Sequence, residues 1–310
     1  MANLENAEYT LYSSPFSLYS MMARHTIQLG RASSNARPPK SIALHFINHR
    51  KDKNLEEEYL KINPKGQVPA MTGNVLEQPL TDSISISLYL AENHYPALLP
   101  AGHAAVIKDL LQRFHSIYGL SFSNPKPTAE MKQYNPSPVE DLLKRTDISP
   151  EYRKLLEGKL KLYVPLPSFC QINFCQWCFA QVTDYLTQLT SHNEHNATAF
   201  HPDVVAKARS DLQTIFAEVV EHRKRSGAFG NPNEWTFGPK VGPTVLDSHF
   251  LPVVLRCIEV GSAELVPEEL QRWSETMSKS PSWLKVMHGK PTRYDPSMGP
   301  VEDMQEMMSL

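Results

Sequence analysis

The pattern of the chain changes near residue 100, and that change limits what it can fold into. Before it, short β-favouring runs alternate with short helical stretches; after it, apolar residues recur only at helical spacing. Tyr9-Thr10-Leu11-Tyr12 is a β run that stops at Ser13-Ser14-Pro15. From there Phe16, Tyr19, Met22, Ala23 and Ile27 follow a helical stripe, with Pro15 suited to the first turn. Residues 42–47 read as a second strand and 54–60 as a short helix, followed by the turn Asn63-Pro64-Lys65-Gly66. Residues 68–71 and 74–76 are expected as a third and a fourth strand, and Thr81-Asp82-Ser83 caps a helix over 84–92. The order β-α-β-α-β-β-α predicts an α/β layer with a mixed sheet.

The later half predicts helices over 105–118, 170–189, 202–225, 244–261 and 267–278, an all-α domain. Two domains are therefore expected, 1–100 and 101–310, the second with a proline-rich insertion at about 123–168. A loop that long without obvious structure is often functional.

Charge and composition narrow the function classes. Thirty-one basic against 33 acidic residues give a net charge of −2, which recruits neither nucleic acid nor an acidic membrane. No window of about 18 apolar residues is free of charge, so no membrane span is expected. The start Met1-Ala2-Asn3-Leu4-Glu5-Asn6 lacks the basic and apolar stretches of a secretory signal, and four cysteines are too few for a disulfide scaffold. A cytoplasmic protein is the expectation. Cys170, Cys175 and Cys178 are spaced C-x4-C-x2-C without an obvious fourth ligand nearby. Buried apolar cysteines are common, so we read them as core and expect no metal.

Three short motifs in the first domain belong together: Ser14-Pro15-Phe16-Ser17 at a helix start, Asn63-Pro64-Lys65-Gly66-Gln67-Val68-Pro69, and Leu80-Thr81-Asp82-Ser83 at another helix start. Each alone is ordinary capping or turn chemistry. Their order, followed by an all-helical half, resembles the glutathione transferase superfamily. The resemblance implies a thioredoxin-like N-terminal domain followed by an all-α C-terminal domain, with glutathione as cofactor. It covers residues 9–100 well, 240–290 moderately and 125–200 poorly.

The resemblance also assigns residues. Pro69 would be cis, and Gln67, Val68 and Pro69 would line the glutathione site, with the Val68 backbone pairing with the cysteinyl unit as an added edge strand would. Asp82 and Ser83 match the acid–serine pair that holds the γ-glutamyl end, although relatives more often carry Glu or Gln where this chain has Asp82. Lys53 would meet the glycyl carboxylate. Thr244-Val245-Leu246-Asp247-Ser248-His249 is similar to a capped helix of the family, in which Asp247 would be an N-cap or folding residue rather than a catalyst. The second substrate would lie between the domains against Phe16, Phe114, His115, Tyr118 and Phe122. A homodimer is expected on the same ground.

Glutathione chemistry needs a thiolate, and a free thiol has a pKa of about 8.5. A helix N-terminus contributes about 0.3–1 kcal/mol, and a hydroxyl hydrogen bond to a charged group about 1.5–3 kcal/mol. Together they bring the pKa below 7, so a hydroxyl at the start of the first helix is required. Tyr12, Ser13, Ser14 and Ser17 stand there. Ser14 occupies the place of the cysteine in a C-P-F-type motif and ranks first, with Ser17 second. Disulfide exchange through Cys-x-x-Cys is excluded at this position, because the first cysteine of the chain is Cys170.

The leading reading is an enzyme whose bound thiolate attacks an electrophilic carbon of an apolar substrate. The outcome is either conjugation or cis–trans isomerisation of a polyene. The extended helical half resembles fungal members attached to natural-product pathways, which places the reaction in secondary metabolism. The rival reading is a non-catalytic binding or scaffold protein on the same fold.

Overall fold

The computed structural model describes residues 7–124, 127, 129, 138–161 and 197–310. The alternation in the first run puts Tyr9 and Leu11 against the core, and β1 (Tyr9–Ser13) becomes the central strand. It pairs in parallel with β2 (Ile42–Phe46) and antiparallel with β3 (Ala70–Gly73), in the order β2-β1-β3. Leu11 stands opposite Leu44 on one side and Met71 on the other.

The expected fourth strand at 74–76 is not one. Leu76 N–H bonds back to Gly73 O at 3.0 Å, closing a turn, and Val75 is 61% exposed. Leu80 instead forms a single bridge to Met71, with paired backbone bonds of 2.8 and 2.9 Å. The third strand also starts two residues later than expected, after the Val68–Pro69 bond, which is cis.

Three helices complete this domain: α1 (Leu18–Ala32), α2 (Glu57–Ile62) and α3 (Ser83–Asn93). Ser17, not Pro15, marks the start of α1, because its Oγ accepts the Ser20 N–H at 3.3 Å. Asp82 caps α3 in the same way, accepting the Ser85 N–H at 2.8 Å.

The helical half comprises, among the described residues, α4 (Ala104–His115), α5 (Gly119–Ser123), α6 (Val139–Lys144), α7 (Pro150–Lys161), α8 (Pro202–Ser226), α9 (Val245–Glu259), α10 (Glu268–Met277) and α11 (Pro281–Met287). The single helix expected over 105–118 stops at His115, and Tyr118 becomes the residue before α5. α7 was not legible within the proline-rich stretch. Its Leu156 and Leu160 bury against Leu55 and Leu60 of the first domain together with Val139 and Leu143 of α6. α8 ends at Gly227 with φ 78°, the left-handed residue expected there. The helix expected over 170–189, with Cys170, Cys175 and Cys178, lies outside the described residues. No helix among the described residues is long and apolar enough to cross a membrane.

One core joins the two halves. Met22 and Ile27 of α1 share it with Leu90 of α3, Phe114 of α4 and Leu246 and Phe250 of α9. The hydroxyl of Thr26 in α1 lies 2.9 Å from Ser87 Oγ in α3 and 2.7 Å from Ser248 Oγ in α9. These bonds tie the middle of α1 to α3 and to the helical half.

Candidate functional site

Where the C-terminal end of the sheet meets the helical half, three adjoining cavities open around the start of α1. The first, of about 630 Å³, runs from the N-terminus of α3 past the Val68–Pro69 bond to α7. The second, of about 540 Å³, lies between α1, α4 and α5. The third, of about 340 Å³, lies between the loop after β2, α9 and the C-terminal segment. Ser17 and His49 line all three.

The first cavity gathers most of the residues expected for a cofactor. Gln67, Val68, Pro69, Asp82 and Ser83 all line it. Asn63, buried at the turn, donates through Nδ2 to Gln67 O at 2.7 Å, and Tyr59 donates its hydroxyl to the same oxygen at 2.6 Å. These bonds hold the chain as it enters Val68. Neither N–H nor C=O of Val68 finds a protein hydrogen bond among the described residues. Among the described residues the Ser83 hydroxyl has only Met22 Sδ, 3.9 Å away and a weak acceptor. Asp82 lines the cavity while also accepting the Ser85 N–H and, at 2.6 Å, the Ser85 hydroxyl.

Gly66, with φ +58°, makes the turn into this wall. An added Cβ there would stand 2.9 Å from Asn54 O, while Asn54 Nδ2 donates to Gly66 O at 2.8 Å. Gly66→Ala is expected to lower stability by about 1–3 kcal/mol, read as the urea unfolding midpoint. A variant as stable as the wild type would contradict this account of the turn.

The opposite end of this cavity differs from expectation. Lys53 does not line it; its ammonium pairs with Glu56 on the outer surface. The base at that end is Lys159 of α7, 7% exposed, donating to Lys65 O at 2.7 Å. Burial pushes its pKa down to about 8. Sequence reasoning missed Lys159 because it sits ~90 positions from the motif, on a helix that only docking against α2 explains. Its one legible signal was a lysine on the same helical face as Leu156 and Leu160.

The candidate hydroxyls separate. Ser17 reaches the first cavity; Ser14 does not, and lines the third instead. The N–H of Ser14 donates to Ser20 Oγ at 3.2 Å, and its carbonyl accepts the Ser17 N–H at 3.1 Å, so Ser14 belongs to the turn that leads into α1. Tyr12 packs between His45 and Tyr59, and Ser13 is buried; neither lines any of the three cavities.

The residues expected around a second substrate also divide. Phe16, His115 and Tyr118 line the second cavity. Phe114 and Phe122 do not: each is 1% exposed, and Phe114 packs against Phe122 and Phe250 in the core, with centroids 6.4 and 5.5 Å apart. Helix geometry explains the correction. Ile107, Leu110, Leu111 and Phe114 form the inward stripe of α4, and His115 stands on the next position around. Tyr19, unremarked in the sequence except as part of a helical stripe, faces both larger cavities and packs on His115 at 5.4 Å. Gly119 admits its hydroxyl, since a Cβ at that position would lie 2.6 Å from it.

His115 is anchored from behind. Its Nε2 lies 2.9 Å from His249 Nδ1, and His249 Nε2 lies 2.9 Å from Ser87 Oγ. Burial pushes the pKa of His115 down to about 4, against a smaller upward pull from Asp82, and burial also pushes His249 well below its ordinary value. Both rings are therefore neutral at pH 7, and each can donate through one nitrogen and accept through the other. His249 is the last residue of the capped-helix motif, but nothing in the sequence pairs it with His115. Asp247 itself has the structural role expected of it. Its carboxylate accepts from Thr236 N–H at 3.0 Å, Thr244 N–H at 2.8 Å and the Thr244 hydroxyl at 2.7 Å.

Known proteins were compared with this chain. Residues 11–97 match the profile described as "Glutathione S-transferase, N-terminal domain". No curated protein matches the chain. A glutathione transferase homolog from Sulfitobacter, solved with bound glutathione, is 15% identical over 91% of this chain and 98% of its own, with a TM-score of 0.50. The beta-etherase LigF from Sphingobium sp. strain SYK-6 is 16% identical over 89% and 97%, with a TM-score of 0.53. Glutathione transferase F2 from Populus trichocarpa is 16% identical over 90% and 97%, with a TM-score of 0.50. At such identities the likeness is one of fold. The chain thus has the glutathione transferase fold, a thioredoxin-like domain followed by a helical domain, and its residues 11–97 match the N-terminal domain of that family.

Proposed function

We propose that the chain is an enzyme that binds glutathione in the first cavity and turns its thiolate on an apolar electrophilic or conjugated substrate in the second. The observation that carries this reading is the wall of the first cavity. Val68 offers an unpaired backbone N–H and C=O at its middle, Asp82 and the N-terminus of α3 at one end, and Lys159 at the other. A γ-glutamyl-cysteinyl-glycine needs those three partners: donors and an acid for its amino-acid end, an extended backbone for its centre, and a cation for its last carboxylate.

In this arrangement the thiol lies at the start of α1. The Ser17 hydroxyl accepts the Ser20 N–H and keeps its own hydrogen to donate to the sulfur. The first backbone N–H groups of α1 add the field of a helix N-terminus. In conjugation, a carbon–sulfur bond forms and the carbon's electron pair leaves with a departing group or takes a proton. In isomerisation the thiolate adds to a conjugated alkene, the adjoining bond rotates, and the carbon–sulfur bond breaks to return the thiolate. Neutral His115, lining both cavities, can donate an N–H hydrogen bond to the negative charge that develops on addition, while the proton that completes conjugation comes from solvent. A cavity of about 540 Å³ has room for an apolar molecule such as a polyene, and the placing of the reaction in secondary metabolism rests on the resemblance of the extended helical half to fungal natural-product enzymes. Homodimerisation and a cytoplasmic location belong to the same proposal.

Thermal unfolding with reduced glutathione at one hundred times its Kd should show about 2.7 kcal/mol of stabilisation. The anchoring role of Lys159 makes a sharper test. S-methylglutathione has no thiol to titrate, so its affinity should weaken as pH rises through about 8 and Lys159 loses its proton. Lys159→Gln should bind about tenfold more weakly at pH 7 and show less of this pH dependence. Absence of any glutathione binding would move the chain to the scaffold reading. A product isobaric with its substrate would establish isomerisation, and one heavier by a glutathione would establish conjugation.

A further inference from the structure

Three arginines and, among the described residues, no acid line the third cavity. Arg50, from the loop after β2, Arg256, from α9, and Arg293, from the C-terminal segment, converge on it, with His49 and Asn48 between them. Arg256 is the best placed, being 9% exposed. It donates through Nε to Thr292 Oγ1 at 2.9 Å and through Nη2 to Phe16 O at 3.1 Å and Thr292 O at 2.5 Å. Every one of those acceptors is neutral. Arg50 lies over the Tyr294 ring, 3.9 Å from its centroid. Neither Arg50 nor Arg293 donates a side-chain hydrogen bond to the protein among the described residues.

The nearby carboxylates stand outside the lining, although the charge of Glu259 acts on Arg256 and that of Arg293 on Asp295. Glu259 accepts Thr292 N–H, the Thr292 hydroxyl at 2.5 Å and Arg293 N–H at 3.2 Å. Glu302 pairs with Lys51 and takes the Asn48 amide at 2.8 Å. Asp295 accepts the Ser297 N–H at 2.8 Å. Burial depresses the pKa of Arg256, Glu259 opposes that effect, and the positive charge of Arg293 adds to it. Three guanidinium groups thus share a concave site without a carboxylate among the described residues of its lining, the arrangement that planar anions fit through paired N–H donors.

The site continues into the cleft. Phe16, Ser17, His49 and Arg256 belong to the second and third cavities alike. A molecule whose apolar body lies against Phe16 and Tyr118 would reach the arginines with its end.

We propose that the third cavity is an anion subsite for the second substrate, so that the enzyme selects apolar molecules ending in a carboxylate. This rests on the glutathione reading of the first cavity, and the test separates the two. The probes are 4-phenylbutyrate and its neutral amide, 4-phenylbutyramide, titrated calorimetrically into the glutathione-saturated protein and into the protein alone. The carboxylate should bind about tenfold more tightly than the amide. In the double variant Arg50→Gln/Arg293→Gln, whose substituted side chains are both exposed, that preference should fall to near unity while glutathione binding stays unchanged. Equal affinities for the two probes, or a preference that survives the double variant, would overturn the subsite. Displacement of the carboxylate by glutathione would also overturn it, by giving the site to the cofactor. If glutathione fails to bind but the titration without it shows the arginine-dependent preference, the subsite stands and the cofactor reading falls.

Discussion

Replacing Ser17 with alanine is expected to raise the thiol pKa of bound glutathione by about one to two units. The figure follows from the lost bond: a hydroxyl donating to a charged acceptor contributes about 1.5–3 kcal/mol, and one pKa unit corresponds to 1.36 kcal/mol. The sign is that of an acid whose ionised form loses a donor. In the variant the thiolate persists only at higher pH, and the rate at neutral pH falls roughly ten- to a hundredfold. What remains is the N-terminus of α1, whose contribution of about 0.3–1 kcal/mol leaves the thiol short of full ionisation at pH 7. Thiolate absorbance titrated against pH reads the shift directly. The variant also loses its cap, since Ser17 Oγ holds the Ser20 N–H, and should be about 1 kcal/mol less stable. A thiol pKa that stays put in Ser17→Ala but rises in Ser14→Ala would move the activating role to Ser14. The structure favours the first outcome, because only Ser17 of the pair lines the first cavity.

Asp247→Ala should be the most damaging single change to stability, at about 4 kcal/mol. The carboxylate is fully buried and accepts three hydrogen bonds, from Thr236 and twice from Thr244. Each bond to a charged acceptor is worth about 1.5–3 kcal/mol, and their loss leaves buried donors without partners. Part of that is offset, because burying the carboxylate is itself costly and pushes its pKa up. The two threonines belong to the loop entering α9, the helix that carries His249 and Arg256. A loss of 4 kcal/mol is a large fraction of the 5–15 kcal/mol typical of a native protein. Urea unfolding is the direct measurement, and Asp247→Asn, which keeps one acceptor, should fall between alanine and wild type. Glutathione affinity of the folded fraction should be unaltered, as none of these atoms lines the first cavity. A loss under about 1 kcal/mol would show that the three bonds carry little net weight.

How much of this was legible beforehand depends on distance along the chain. The α/β-then-α division, α1, α3 and the capped start of α9 all follow from local spacing and capping residues. Gln67, Val68, Pro69, Asp82 and Ser83 came instead from the resemblance of two short motifs to a known family; they lie within 17 positions of one another and line one cavity. Where local signals were weak, expectation and structure part. Val75 carries β propensity, but a turn closed at Gly73 leaves it in solvent, so no fourth strand forms. The helix expected to reach Tyr118 breaks after His115, which leaves Tyr118 on the cavity wall, while Phe114 on the inward stripe of α4 and Phe122 on α5 pack into the core.

Resemblance of the chain's motifs to a known family pointed to the run that lines the first cavity; the sequence by itself determined the α/β-then-α division and the presence of serines at the start of α1. Those are properties of short segments, where backbone preference and side-chain period decide. Only the tertiary structure decided which serine faces that cavity, that Lys159 rather than Lys53 stands at its far end, that His249 supports His115, and that Arg50, Arg256 and Arg293 meet. Each of these pairings joins residues from separate elements. They are set by how α7, α9 and the C-terminal segment dock against the first domain, through packing that no local pattern of the chain records.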